Sequence, residues 1–281
     1  MQADELRVPV GPGAMHVERF GHGGTAVILL HGFATSSFLW RNVAPGITEA
    51  GHTAYAVDLF GHGESDRPFD ADFGIAAQAE YLDAAMTALR VARAVLVGVD
   101  IGGDVALRLA ATRPERVEKL VLINTPAFDE LPAKDITLMQ RSTARFAFRT
   151  TRGILGAAPL VEQILRKSVA DPDKQMPTRL VARYLAPFVG KDGTNHLLSL
   201  ASSISGEDLE DIDLRNIHVP ALILWGDEDT FVDGRIAEKL TSALPDGRLV
   251  RLPGVARLLP EENPDHLMEL LMDFMRKRAV A

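Results

Sequence analysis

Asp100 stands in Leu96-Val97-Gly98-Val99-Asp100-Ile101-Gly102-Gly103, between the apolar run Ala94-Val95-Leu96-Val97 and a stretch from Val105 to Ala111 whose apolar spacing is helical. The run reads as a buried parallel strand, so Asp100 falls on a strand-to-helix turn with its carboxylate at the top of a sheet. A strand that reverses straight into a helix needs Gly98 and Gly102, where a side chain would collide. A carboxylate held there can attack a carbon or carry a proton. Asp is also a good helix N-cap, but the flanking glycines favour the reactive role. Two further groups invite a chemical reading. Arg141, Arg145, Arg149 and Arg152 recur at four, four and three residues, along one side of a helix. They form either a solvated basic face or a binding face for a substrate carboxylate or enolate. His196, on a later helix, is a candidate base displaced over Asp100.

The elements that must position these groups alternate between strand and helix. Arg7–Val10 and Met15–Phe20 read as short edge strands, and Ala26–Leu30 as the first fully buried strand, ending at His31-Gly32-Phe33. A helical stretch around Phe38–Ile47 follows, then a strand Thr53–Val57 ending at Asp58, a turn-rich loop and an amphipathic helix Ile75–Leu89. Lys119–Ile123 is another buried strand. From Pro126 to about Ile217 the rhythm stops, and helices broken at Pro132, Pro159, Pro172, Pro177 and Pro187 take over. The rhythm resumes with Ala221–Trp225, a helix Arg235–Leu244, a strand Leu249–Leu252 and a terminal helix from Pro264 to about Arg276. The expected organisation is an α/β core of residues 1–125 and 218–281, carrying a helical cap of residues 126–217.

Composition narrows the partners. The 281 residues are 47% hydrophobic, enough for one large core with an insertion. A formal charge of −8 argues against a nucleic-acid groove or an acidic membrane surface, both of which need a basic face. A small-molecule substrate is expected, with no metal and no cofactor. The chain has no cysteine, so a thiolate nucleophile and disulfides are excluded. The first thirty residues carry no secretory pattern and no stretch is long enough to span a bilayer, so a cytoplasmic location is the default expectation.

Several segments together carry a resemblance. His31-Gly32-Phe33, Trp40-Arg41-Asn42, Gly61-His62-Gly63-Glu64-Ser65-Asp66, Gly98-Val99-Asp100-Ile101-Gly102-Gly103, Arg113-Pro114-Glu115-Arg116-Val117 and Trp225-Gly226-Asp227-Glu228-Asp229 resemble the α/β-hydrolase family, in the family's order. The elbow that usually carries Ser carries Asp, which is similar to the haloalkane dehalogenase, fluoroacetate dehalogenase and epoxide hydrolase branch. The resemblance implies an α/β-hydrolase fold, a mostly parallel doubly wound sheet with an inserted helical cap. It further implies Asp100 as the attacking group, the backbone N–H groups of Phe33 and Ile101 as an oxyanion hole, and Asp229 as the residue that orients a water-activating histidine. His31 is expected to brace the loop beside the oxyanion segment. Trp40 and Tyr184 are candidate pocket residues.

The chain departs from that pattern where the histidine belongs. After Leu249–Leu252 the segment is Pro253-Gly254-Val255-Ala256-Arg257-Leu258-Leu259-Pro260-Glu261, and Arg257 occupies the expected position. Arginine stays protonated at any working pH and cannot take a proton from water. An ion pair between Arg257 and Asp229 is expected instead, the guanidinium forking onto the carboxylate. His266, the only later histidine, falls at the start of the terminal helix and reads as a surface residue. Side-chain donors that would hold a departing halide are replaced by Ile101 and Phe33. Ile101 and Asp104 stand where a fluoroacetate-type site would have arginines, and Tyr184 is the sole tyrosine of the cap. The favoured expectation is a non-hydrolytic enzyme in which Asp100 moves protons during elimination, isomerisation or cyclisation of a small, largely apolar metabolite. A hydrolase with a relocated base and an inactive ligand-binding homologue are the alternatives.

Overall fold

The computed structural model describes residues 3–141, 157–189 and 191–276. Eight strands form one sheet: β1 (Asp4–Pro9), β2 (Ala14–Phe20), β3 (Ala26–Leu30), β4 (Thr53–Val57), β5 (Ala94–Val99), β6 (Val117–Ile123), β7 (Ala221–Gly226) and β8 (Gly247–Leu252). Their spatial order is β1-β2-β4-β3-β5-β6-β7-β8, with β1, β2 and β4 paired antiparallel and all later pairs parallel. The central strands are almost continuously apolar because helices cover both faces, and every residue of β4, β5 and β7 is buried. The parallel registers bring the strand ends level, so His31, Asp58, Asp100 and Asn124 all follow strands on one rim of the sheet. That rim is where open α/β sheets hold their ligands.

Two local expectations need correction. Met15–Phe20 is not an edge strand: β1 covers its outer side, and Val17 is fully buried between the two neighbours. The helix expected over Phe38–Ile47 is split into a single turn, Ser37–Trp40, and helix α1 (Ala44–Glu49). Pro45 explains the break, since proline can begin a helix but cannot donate to the turn before it. Helices α2 (Ile75–Ala88) and α3 (Ile101–Thr112) flank the sheet.

Between β6 and β7 the described residues contain helices and turns and no strand: α4 (Lys134–Gln140), then Ala158–Lys167, Thr178–Leu185 and Lys191–Ser203 with shorter turns between them. Of the four recurring arginines, Arg145, Arg149 and Arg152 lie outside the described residues, while Arg141 is exposed at the end of α4. Among the described residues no helix is long and apolar enough to cross a membrane.

Candidate active site

Asp100 joins β5 to α3 with φ 54° and ψ −129°, a conformation that non-glycine residues adopt only when the surroundings enforce it. The enforcement is visible. A Cβ on Gly98 would lie 2.4 Å from the Gly102 backbone, and one on Gly102 would lie 2.6 Å from the carbonyl oxygens of Leu30 and His31. The turn closes against backbone that cannot yield, so both glycines are obligatory. The strained turn aims the Asp100 carboxylate at the His31-Gly32-Phe33 loop, where the Phe33 N–H donates to Oδ2 at 2.9 Å. Oδ1 is buried and has no hydrogen-bond partner. Ile101 is buried in the first turn of α3, immediately after Asp100.

Arg257 is at the centre of the site, with its side chain only 3% exposed. Its Nη1 donates to Asp135 Oδ2 at 3.2 Å and lies 3.6 Å from Asp100 Oδ2, and its Nε lies 3.7 Å from Asp229 Oδ2. The guanidinium carbon sits 4.2 Å from the centre of the Phe231 ring, a cation–π contact. The expected Arg257–Asp229 ion pair is present, but the fork is not. Asp229 is already occupied: Oδ2 accepts from Asn124 Nδ2 at 3.1 Å, and Oδ1 from the N–H groups of Phe231 and Val232 at 2.8 and 3.4 Å. The guanidinium therefore turns its hydrogen bond to Asp135, leaving Nε and Nη2 without one.

One cation among three buried carboxylates sets the protonation. Burial raises the Asp100 pKa to about 6; Arg257 works against that rise, and the charge of Asp135 adds to it. Burial opposes the charge on Arg257, but Asp100, Asp135 and Asp229 together push its pKa above its ordinary value, so it stays protonated. Asp104, one helical turn after Asp100, is fully buried with neither carboxylate oxygen bonded, and burial drives its pKa well up.

The other expected residues are placed differently. His31 Nδ1 donates to the Gly32 carbonyl at 2.8 Å and Nε2 accepts from the Leu59 N–H at 3.0 Å, which makes it a brace, as expected. His196 is not over Asp100. Its Nε2 donates to the Gly61 carbonyl at 2.6 Å, its ring lies between Phe73 and Phe188, and it lines a cavity of about 400 Å³ whose walls do not include Asp100. Burial lowers its pKa to about 4, so it is neutral at ordinary pH. Trp40 belongs to the core, with no exposed surface. The Tyr184 hydroxyl donates to Glu261 Oε1 at 2.5 Å, and Arg41 forks onto the same carboxylate at 2.5 and 2.7 Å. That network ties helix Thr178–Leu185 to the turn before α1. His266 pairs with Glu269 on the surface, as expected.

Two residues of the site escaped the sequence reading. Asn124 follows β6 directly, and its side chain bonds Gly226 as well as Asp229, fixing the loop that bears Asp229. A strand-end position on the binding rim is the signal that marks it. Asp135 lies in the first turn of α4, where an acidic residue reads as a complement to the helix dipole. Nothing local marks it as a partner of a residue 122 positions away.

Comparison with known proteins agrees with this architecture. Residues 25–264 match the family described as alpha/beta hydrolase fold. The chain belongs to the alpha/beta hydrolase family. It is 28% identical to a haloalkane dehalogenase of Mesorhizobium japonicum, over 98% of this chain and 92% of that one. It is 26% identical to an uncharacterized hydrolase of Bacillus subtilis, YugF, over 90% and 91%. Among solved structures, the epoxide hydrolase CorEH superposes with a TM-score of 0.79 at 19% identity, covering 98% of both chains. The haloalkane dehalogenase DbeA of Bradyrhizobium elkani superposes with a TM-score of 0.78 at 25% identity and the same coverage.

Proposed function

We propose that this chain is a non-hydrolytic member of its family, in which Asp100 acts as general acid and base on a small, largely apolar substrate held beneath a cap formed by residues 126–217. The observation that carries this reading is Arg257. A permanently charged guanidinium occupies the space beside Asp229 and Asp100, and no histidine is bonded to or paired with Asp100 among the described residues. An ester formed by attack of Asp100 on carbon would meet at Arg257 a guanidinium, which cannot take a proton from water, where the family pattern has its histidine. A carboxyl group with a pKa of about 6, by contrast, is well matched to giving and taking protons near neutrality. The unbonded donors of Arg257 offer stabilisation to negative charge developing on a substrate oxygen. Elimination, isomerisation and cyclisation of a carbonyl compound all need those two elements.

The kinship with haloalkane dehalogenases and the position of Asp100 favour a second reading, hydrolysis with a displaced base. Exposure of the protein to a panel of small epoxides and alkyl halides, followed by intact-protein mass spectrometry, separates the two. No Asp100 adduct and no turnover is the expected result. An accumulating ester, converted to turnover by Arg257→His, would overturn the proposal in favour of a hydrolase arrested one step short.

A further inference from the structure

Asp135 is 6% exposed and belongs to the segment between β6 and β7, outside the sheet that carries the rest of the site. Its Oδ2 and that of Asp100 lie on the same nitrogen, Arg257 Nη1, at 3.2 and 3.6 Å. Each carboxylate keeps its other oxygen, Oδ1, buried and unbonded, and Arg257 keeps Nε and Nη2 unbonded. A folded protein leaves few buried polar atoms without partners, so acceptors and donors left open around one cation mark a place built for a polar group brought from outside. The backbone supports the arrangement, since the Ser168 carbonyl accepts from the N–H groups of both Arg257 and Leu258 at 3.1 and 3.0 Å. The helical segment therefore holds the Arg257 loop by its main chain and by Asp135 together.

We propose that Asp135 is a second proton-carrying catalytic residue, paired with Asp100 across Arg257, and that the substrate is an apolar carbonyl compound undergoing a proton shift or loss of a β-hydroxyl. The inference deepens the proton-transfer reading above and rests on it. In the forward step the Asp135 carboxylate takes a proton from carbon, and the C–H electron pair passes into the carbonyl as an enolate facing the free N–H of Arg257. Asp100, entering as the acid, gives its proton either to the γ-carbon, where the substrate is β,γ-unsaturated and the enolate is conjugated, or to the departing hydroxyl, which leaves as water with its bonding pair while the enolate electrons form the new carbon–carbon double bond. The acid and the base have then exchanged roles, and one proton is still shared between them. Asp229 takes no part, because its oxygens are held by Asn124, Phe231 and Val232.

The test uses cyclohexanone and 3-hydroxycyclohexanone in D2O, with α-proton exchange and enone formation followed by NMR. The unsubstituted protein should accelerate exchange, and the rate should fall as pH rises through about 6, where Asp100 loses the proton it gives. Asp135→Asn should lose about 100-fold in kcat or more with KM little changed, as expected when a general acid or base is removed, and should keep the fall through about pH 6 that Asp100 sets. Asp135→Glu retains the charge and the pairing with Arg257, and should restore part of the rate. Should Asp135→Asn not fold, Asp135→Glu is decisive by itself, because a lengthened acid in a proton-carrying role must change the rate. Exchange in either folded variant equal to that of the unsubstituted protein would overturn the role of Asp135 and leave that of Asp100 standing. Absence of exchange in the unsubstituted protein would overturn the proton-transfer reading and this inference with it.

Discussion

Asp58 and Asp100 follow β4 and β5, the two strands that flank β3, and each side chain is only 1% exposed. Their surroundings differ completely. Asp58 Oδ1 accepts from the Ser37 N–H at 2.5 Å, and Oδ2 is bonded to His16 Nδ1 at 2.9 Å and to the Glu64 N–H at 2.8 Å. Burial works to raise its pKa, and those bonds more than offset it, so the carboxyl ends below its usual value. Asp100 has one N–H donor, a guanidinium it shares with two other carboxylates, and a pKa raised to about 6. Burial alone therefore does not set the direction in which a carboxylate's pKa moves. Asp58 is saturated and holds loops together, whereas Asp100 keeps Oδ1 without a partner at the sheet rim.

That contrast fixes an order of expected effects. Arg257→Ala should be the most destructive change, costing about 3–5 kcal/mol because it strips the cation from buried charges. Urea denaturation at pH 8 measures it, and a loss below 1 kcal/mol would show that the carboxylates are not held by Arg257. Asp100→Asn comes next and should behave in the opposite way, abolishing activity without unfolding the chain. The folded-state pKa of Asp100 lies above its unfolded value, so its ionisation opposes folding as pH rises from about 4 to about 6. The stability of Asp100→Asn relative to the parent should climb across that window by about 3 kcal/mol and then level off. A flat difference would refute the raised pKa.

Asp58→Asn should show the reverse sign. It should cost about 2 kcal/mol at pH 7, typical for hydrogen bonds to a buried charge. With a lowered folded pKa, the advantage of Asp58 should fade as pH falls below about 4. Matching slopes for the Asp58 and Asp100 variants would erase the distinction drawn between them. Tyr184→Phe should have the smallest effect, about 1 kcal/mol from one lost hydrogen bond, since Arg41 still holds Glu261. A thermal melt resolves that, and a much larger loss would place Tyr184 in the stability of the whole helical segment.

Much of the site was legible where its cause is local. The apolar run before Asp100 and the glycines around it specify a tight strand-to-helix turn, and β5 and α3 meet at that residue. His31 as a brace is equally readable from its own segment. His196 was misplaced because helical spacing gives a residue its face on the helix but not the loop that face will meet; the Gly61 carbonyl claims it. The fork from Arg257 to Asp229 failed for a related reason. Pair geometry was sound, but Asn124 and the Phe231 and Val232 N–H groups had already filled the carboxylate.

The sheet, the elbow and the aspartate on it are legible in the chain itself, because each depends on residues within a few positions of one another, through strand patterning and steric closure. Only folding shows that Asp135 and Asp100 join Asp229 around Arg257, and which of the three remain short of partners. Those outcomes depend on contacts across 122 to 157 residues for Asp135 and Asp100, and on competition among all the donors that folding brings to one rim. Burial and hydrogen bonding act on a carboxylate's charge only once that competition is resolved, which is why Asp58 and Asp100, alike in sequence as strand-terminal aspartates, part ways in chemistry.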